Sequence, residues 1–465
     1  SLTATQLTLS GGTLKTTTDL TLATNRGITL STNGGTIEVA NTTTIYGGTI
    51  AGTTTFTKSG TGTFVLTGTK TDTASPTYVV IAAGTFTVRA DAPNINGQTF
   101  TGAGNLIIEP ASVSFSTNPL DTSNIHLVGV TSGVASSGVL GTLTIGKAGN
   151  LSTINISGDI TTVGNQTFYG PVTLSADITS TITSGTVNFT GTLNSSNGTP
   201  RSLTVSGGTL KLDGIVGQTN LLSSITTTNS GNLTTTAAIW NIGTLSVAGT
   251  SSIGADITTS STQAYTGAVT LTANTTLQVS TVTNSSTITG GGFSLAITGN
   301  SSIGGAISNV SIFSVSGTTS LGADVSTTGT QTYSGAVTVN GAARILTTTG
   351  NNVTFSSTVN SDSGGARNLT IATGTAATVQ FNGTVGNTYA LGAIALTGSA
   401  ALDLNAAITS AASLSVSGTS DLGANVTTSG TQTYTGAVTL SASPTLTTTA
   451  NTITFSSTVN ATDAA

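Results

Sequence analysis

Apolar residues in this chain alternate with small polar ones over short runs: Leu414 with Val416, Val438 with Leu440, Ile453 with Phe455. Such runs, ended by Gly, Ser or Asn, are the pattern of half-buried strands bounded by turns. They recur about every 8–12 residues, a spacing that sandwiches, barrels and solenoids share. Helix-forming residues never gather in blocks. Glu stands only at Glu38 and Glu109, while Thr alone approaches a quarter of the chain. β-Branched residues suit strands, and Gly, Asn and Ser suit the turns between them, so the pattern predicts an all-β protein.

A long repeat decides among the all-β architectures. Four segments share one fixed spacing: GDITTVGNQTFYGPVTL around Gln166, GADITTSSTQAYTGAVTL around Gln263, GADVSTTGTQTYSGAVTV around Gln331 and GANVTTSGTQTYTGAVTL around Gln432. In each, an Asp or Asn (Asp159, Asp256, Asp324, Asn425) precedes the Gln by seven residues. An aromatic (Phe168, Tyr265, Tyr333, Tyr434) follows it by two. Sandwiches do not reuse blocks of this length, so the repeat predicts a parallel β-helix, a β-solenoid forming a single elongated rod. The Gln-to-Gln intervals are 97, 68 and 101 residues. With coils of roughly 20 residues rising about 4.8 Å each, a long unit is about five coils. The intervals are not multiples of that length.

The long units share a second block, Val187 to Val205 and Val353 to Ile371, which matches Phe189 with Phe355 and Arg201 with Arg367. Residues 1–145 carry no copy of the long repeat and read as short strands broken by Gly turns; residues 146–465 carry all four. The last copy begins the second block and stops at Ala465, so the expectation is a chain that ends inside a repeat. The absence of Met points to a processed product or a window of a longer parent.

Composition narrows the function. Charged residues make up 5% and the net charge is −5, with no basic stripe for nucleic acid. No uninterrupted run of some 18 apolar residues offers a membrane-spanning helix. Apolar residues are 36%, enough for a core built from Val, Ile, Leu and Ala. There is no Cys, which removes disulfides and thiolate metal sites.

The segment Lys58 to Val88, KSGTGTFVLTGTKTDTASPTYVVIAAGTFTV, resembles the passenger-associated repeat of bacterial autotransporters, with Gly60–Leu66 and Ala83–Val88 as its two strand halves. The later units are similar to the β-strand repeats of large filamentous-haemagglutinin-like adhesins. The resemblance implies export to the cell surface, a right-handed β-helix, and adhesion or surface architecture. No secretion domain or translocator barrel accompanies it in this chain.

Candidate chemistry is sparse. The single His, His126, has no marked partner and reads as a loop or surface residue. Polysaccharide-active β-helices need clustered carboxylates. Here Asp159, Asp256 and Asp324 lie 70–100 residues apart and cannot share a site. Two pairs spaced by 18, Asp159 with Asp177 and Asp403 with Asp421, could stack on adjacent coils and hold calcium; solvated turn residues are the expectation. Tyr265, Tyr333 and Tyr434 form a candidate stripe for stacking on sugar rings, weighed against a turn Gln and a corner aromatic that serve the fold. Arg201 and Arg367 read as solvated loop charges and Trp240 as core. Asn155, Asn165, Asn194 and Asn284 lie in N-x-S/T triplets. No catalytic residue, cofactor or metal is expected. The reading is a non-catalytic extracellular β-solenoid at a bacterial cell surface. It is part of an adhesin or a self-associating filament, with a longer parent chain, other copies or surface glycans as partners. An ice-binding solenoid and a polysaccharide-active enzyme are the alternatives.

Overall fold

A computed structural model describes the chain except residues 1–2, 69, 72–77, 92, 94–97, 117–124, 127–138, 197, 375–376 and 463–465. Among the described residues there is no helix; parallel strands stack in about 20 turns as a β-solenoid. Most strands are short, and their burial explains their sequence. In Val337–Val339 the two valines face the core and Thr338 is turned outward. Val-Thr-Val, Val-Thr-Leu and Ile-Thr-Thr strands repeat this in–out–in order. Gly, Ser, Asn and Asp fill the corners, where a side chain meets the next coil's backbone. A Cβ on Gly217, whose φ is +70°, would lie 2.2 Å from the carbonyl oxygen of Asn241. The chain divides into two compact units, Ser1–Gly243 and Thr244–Ala465.

In the first unit one ladder runs without a break from Thr43–Tyr46 through Thr63–Leu66, Thr85–Arg89, Asn105–Glu109, Leu143–Ile145, Gln166–Phe168 and Thr186–Phe189 to Thr209–Leu212. The change of texture at residue 145 lies within this ladder. The two halves of the passenger-like segment stack directly: Phe64 lies across from Phe86 and Leu66 from Val88. Their rings are stacked 5.8 Å apart, flanked by Phe56 and Phe100. One lysine, Lys58, is sealed in this core. Its Nζ donates to the carbonyls of Ser59, Gly60 and Ala83 at 2.7–2.9 Å, and burial brings its ammonium down to about 8.

The second unit is three-sided. From Ile307 through Phe313, Thr319, Val325 and Gln331 to Val337, each strand begins six residues after the last. Three such steps close a coil of 18 residues, as between Asn300 and Thr318; corner loops lengthen others to 26, as between Asn352 and Thr378. One face stacks Gln263, Val282, Ser301, Thr319 and Val337. A second stacks Phe313, Gln331, Val353, Val379 and Leu402. A third carries Ile394, Leu414, Gln432 and Ile453. Aromatic rings follow the second face: Tyr333, Phe355 and Phe381 stack in register with centroids 5.2 and 5.0 Å apart.

Phe355 is fully buried between two rings, so Phe355→Ala removes both stacking partners and leaves a cavity. The expected cost is about 3–5 kcal/mol, read as a fall in the urea midpoint. Thr354→Ala, one position away on the outer face, should shift stability by no more than about 0.5 kcal/mol.

Candidate functional site

The four repeated segments have a common internal geometry. Each is one coil, with strands beginning six residues before the Gln, at the Gln or one residue ahead of it, and six residues after it. The acid or amide at its start clamps the next coil. Oδ1 of Asp159, Asp256, Asp324 and Asn425 accepts the backbone N–H of Thr179, Thr276, Ile345 and Thr445, at 2.7–2.9 Å. Asn300, Asn352 and Asn368 hold Thr318, Thr378 and Ala393 in the same way. Asp and Asn recur there because a short side chain ending in an acceptor reaches an otherwise unpaired corner N–H.

The glutamine is not a turn residue. Gln166, Gln331 and Gln432 begin strands, Gln263 is the second residue of one, and all four are fully buried. Each Nε2 reaches the carbonyl six residues back, the Thr hydroxyl four residues back, and a carbonyl on the following coil. For Gln331 these are Val325 at 3.2 Å, Thr327 at 3.3 Å and Thr347 at 2.8 Å. The other three amides repeat the arrangement. The acceptor Oε1 takes a hydrogen bond from the tyrosine two residues on: Tyr265, Tyr333 and Tyr434 donate at 3.0–3.1 Å. The first copy carries Phe168 there and has no phenol to offer. Ser180, from the next coil, donates to Gln166 Oε1 instead. Ser180 pairs with Ile160, as Leu277, Leu346 and Leu446 pair with Ile257, Val325 and Val426 in the other copies. Hydroxyl donor and phenol therefore substitute for one another across the chain.

This geometry rules against the candidate tyrosine stripe. Tyr265, Tyr333 and Tyr434 are 1%, 0% and 0% exposed, so no ring face is open to a sugar. They also stand on three different faces of the second unit, as its three Gln residues do. Burial pushes all three phenols far above the usual tyrosine range.

The remaining candidates separate. Asp403 and Asp421 are in register on adjacent coils, Asp403 holding Gln380 Nε2 at 2.8 Å. Asp159 lies opposite Thr179 rather than Asp177, whose Oδ1 holds Ser202 N–H. No group of three or more His, Cys, Asp or Glu residues gathers among the described residues. His126 belongs to a two-residue strand paired with Gln98–Thr101. Trp240 is 52% exposed, not core, because the strand Ile239–Val247 turns inward at Ile239 and Ile242. Asn284 is buried, with its amide nitrogen donated to Ser286 and Gly305, and offers no site for a glycan.

Arg201 and Arg367 occupy equivalent loops. The backbone N–H of each donates to a buried serine, Ser195 or Ser361, at 2.8 Å. Asp362 grips Arg367 at 3.1–3.2 Å, and its carboxyl is held low by Gly341 N–H first and by Arg367 next. Ser196 stands where Asp362 does, and Arg201 Nε is buried with no partner. Beside this loop lies a polar groove of about 430 Å³, lined by Asn155, Thr173, Thr192, Asn194, Ser196 and Thr219 among others. Compared with models of protein families, with curated proteins and with solved structures, the chain matches none.

Ser180→Ala should leave Gln166 Oε1 unsatisfied and cost about 1–3 kcal/mol, and Phe168→Tyr should restore most of it. A double-mutant cycle by urea unfolding measures that coupling, and additive effects would refute the exchange. The buried phenols also set an alkaline limit. Their folded pKa lies above the unfolded value of 10.0, so their contribution is intact below pH 10 and drains away as pH rises beyond it. Urea midpoints at rising alkaline pH should fall less steeply in Tyr333→Phe than in the parent chain.

Proposed function

We propose that this chain is a non-catalytic β-solenoid scaffold of a bacterial surface adhesin, exported and displayed outside the cell. The observation that carries the reading is the fate of the repeated polar residues. In every copy the Asp or Asn, the Gln, and the Tyr or its Ser substitute are spent on bonds within and between coils. A chain that devotes its most regular polar positions to stacking is built to extend a surface rather than to assemble one reactive centre. The passenger-like pairing of Phe64 with Phe86 supports the same assignment. So does a composition free of cysteine, which suits a chain threaded unfolded through an export pore.

Location is the direct test. Protease treatment of intact cells that make the native protein should remove its epitopes while a cytosolic marker survives. Epitopes that persist until lysis would overturn the surface assignment.

A further inference from the structure

The groove beside Asn194 carries an inference that does not depend on the adhesin reading. Its floor is one outward row of the first unit. Asn155 pairs with Thr173, and Thr173 with Asn194. Leu193, Val216 and Ile239 are bridged coil to coil, so the residues that follow them, Asn194, Gly217 and Trp240, continue the row. The backbone N–H of Trp240 donates to Val216 O at 2.9 Å, which sets this residue's backbone one coil beyond Gly217. Gly217 is buried in the row, one coil step from each of Asn194 and Trp240. From Asn155 to Trp240 the row spans four coil steps, about 19 Å.

The chemistry along this row is that of a binding surface. Asn194 Oδ1 is held by the backbone N–H groups of Thr219 and Asn220 at 3.0 and 3.4 Å. The side chain is thereby oriented, and its Nδ2 is left to donate outward. Thr173, Thr192, Ser196 and Thr219 add hydroxyls that both donate and accept. At the end stands the chain's single Trp, half exposed, a large apolar plate beside a polar floor. The groove's volume falls within the range of small-ligand sites. A ligand that matches all of this is flat, apolar on its ring faces and ringed by hydroxyls.

We propose that the groove and Trp240 form a binding site for an oligosaccharide, with one pyranose ring stacked on the indole and its neighbours hydrogen-bonded along Asn194 and Thr173. The equivalent loop of the second unit keeps the Asn, with Asn360 Oδ1 holding Thr388 and Tyr389 N–H. Thr409 takes the place of Trp240 one coil beyond Gly386, so the complete site belongs to the first unit.

Because Trp240 is the only tryptophan, its fluorescence reports on this site alone. The full chain should be titrated with tetrasaccharides and hexasaccharides of cellulose, chitin, mannan, xylan and polygalacturonate. At least one series should give a saturable shift in emission. By calorimetry, Trp240→Ala should weaken that sugar about tenfold or more and Thr173→Val severalfold, while Tyr389→Ala leaves it unchanged. Unfolding midpoints of the variants, matched to the parent, tie any loss to the site. No saturable shift with any series up to about 10 mM, or calorimetric binding that survives Trp240→Ala, overturns the proposal.

Discussion

A polar side chain fits a solenoid core best where the next coil satisfies its atoms; Ser301 and Thr319 are buried in the same core with hydroxyls that have no partner. An unpaired buried donor or acceptor costs about 1–3 kcal/mol, while a satisfied one is close to neutral or mildly favourable. The buried glutamines meet this condition in full. Nε2 binds carbonyls on two successive coils, and Oε1 is met by a phenol or a serine. The amide thus works as a stitch that only the correct register can close. A slip of one residue would turn every inward side chain outward and break the bonds that hold the amide. The corner Asp and Asn residues make the same demand at the edges of the strands, where each waits for one particular N–H of the following coil. Apolar stacking of Val, Ile and Leu supplies cohesion. These polar stitches supply the register.

Within the second unit the six-residue step separates sequence repetition from surface repetition. Its three copies of the repeat begin on three different faces, because the intervals between them are whole coils plus two further steps. A residue that recurs in the sequence therefore does not recur along one side of the molecule. Function that needs a continuous stripe cannot be built from such a repeat. Function that needs a locally stable coil can be, since the stitch works equally well on any face.

Much of the fold was legible in the sequence. The alternation of Val438 with Leu440 and the fixed spacing around each Gln follow from a period of two and a regular coil, while the pairing of the strands that hold Phe64 and Phe86 was implied by the passenger-like resemblance. The intervals resisted a coil length of 20 because they combine 18-residue coils with coils lengthened at corners, and end two steps into a further coil. The site was read less well, for two physical reasons. A Gln next to Thr and Gly looks like a turn residue, yet its separation of two from Tyr333 already placed both side chains on one face of a strand. Trp240 lies where a strand bends around a corner, and alternation loses its phase there: Ile239 and Ile242 both point inward although three residues apart. The signal that would have exposed the Gln cluster is the mismatch at the aromatic position, Phe168 in place of Tyr, with Ser180 in place of Leu one coil later.

Corners are also where this architecture can afford variety. A three-residue strand buries two side chains and shows one, so most of its sequence is fixed by the stack. A corner loop can lengthen without disturbing the strands on either side, and loop length carries little entropic cost. The paired loops at Arg201 and Arg367 show what such freedom permits. Both keep the serine that receives the arginine's backbone N–H, which holds the loop closed. One adds Asp362 and ties its guanidinium down; the other has Ser196 and borders the groove. The same stitched frame thus carries a closed loop in one place and an open polar surface in another. Chemistry in this chain is set by what is inserted between stitches rather than by the stitches themselves.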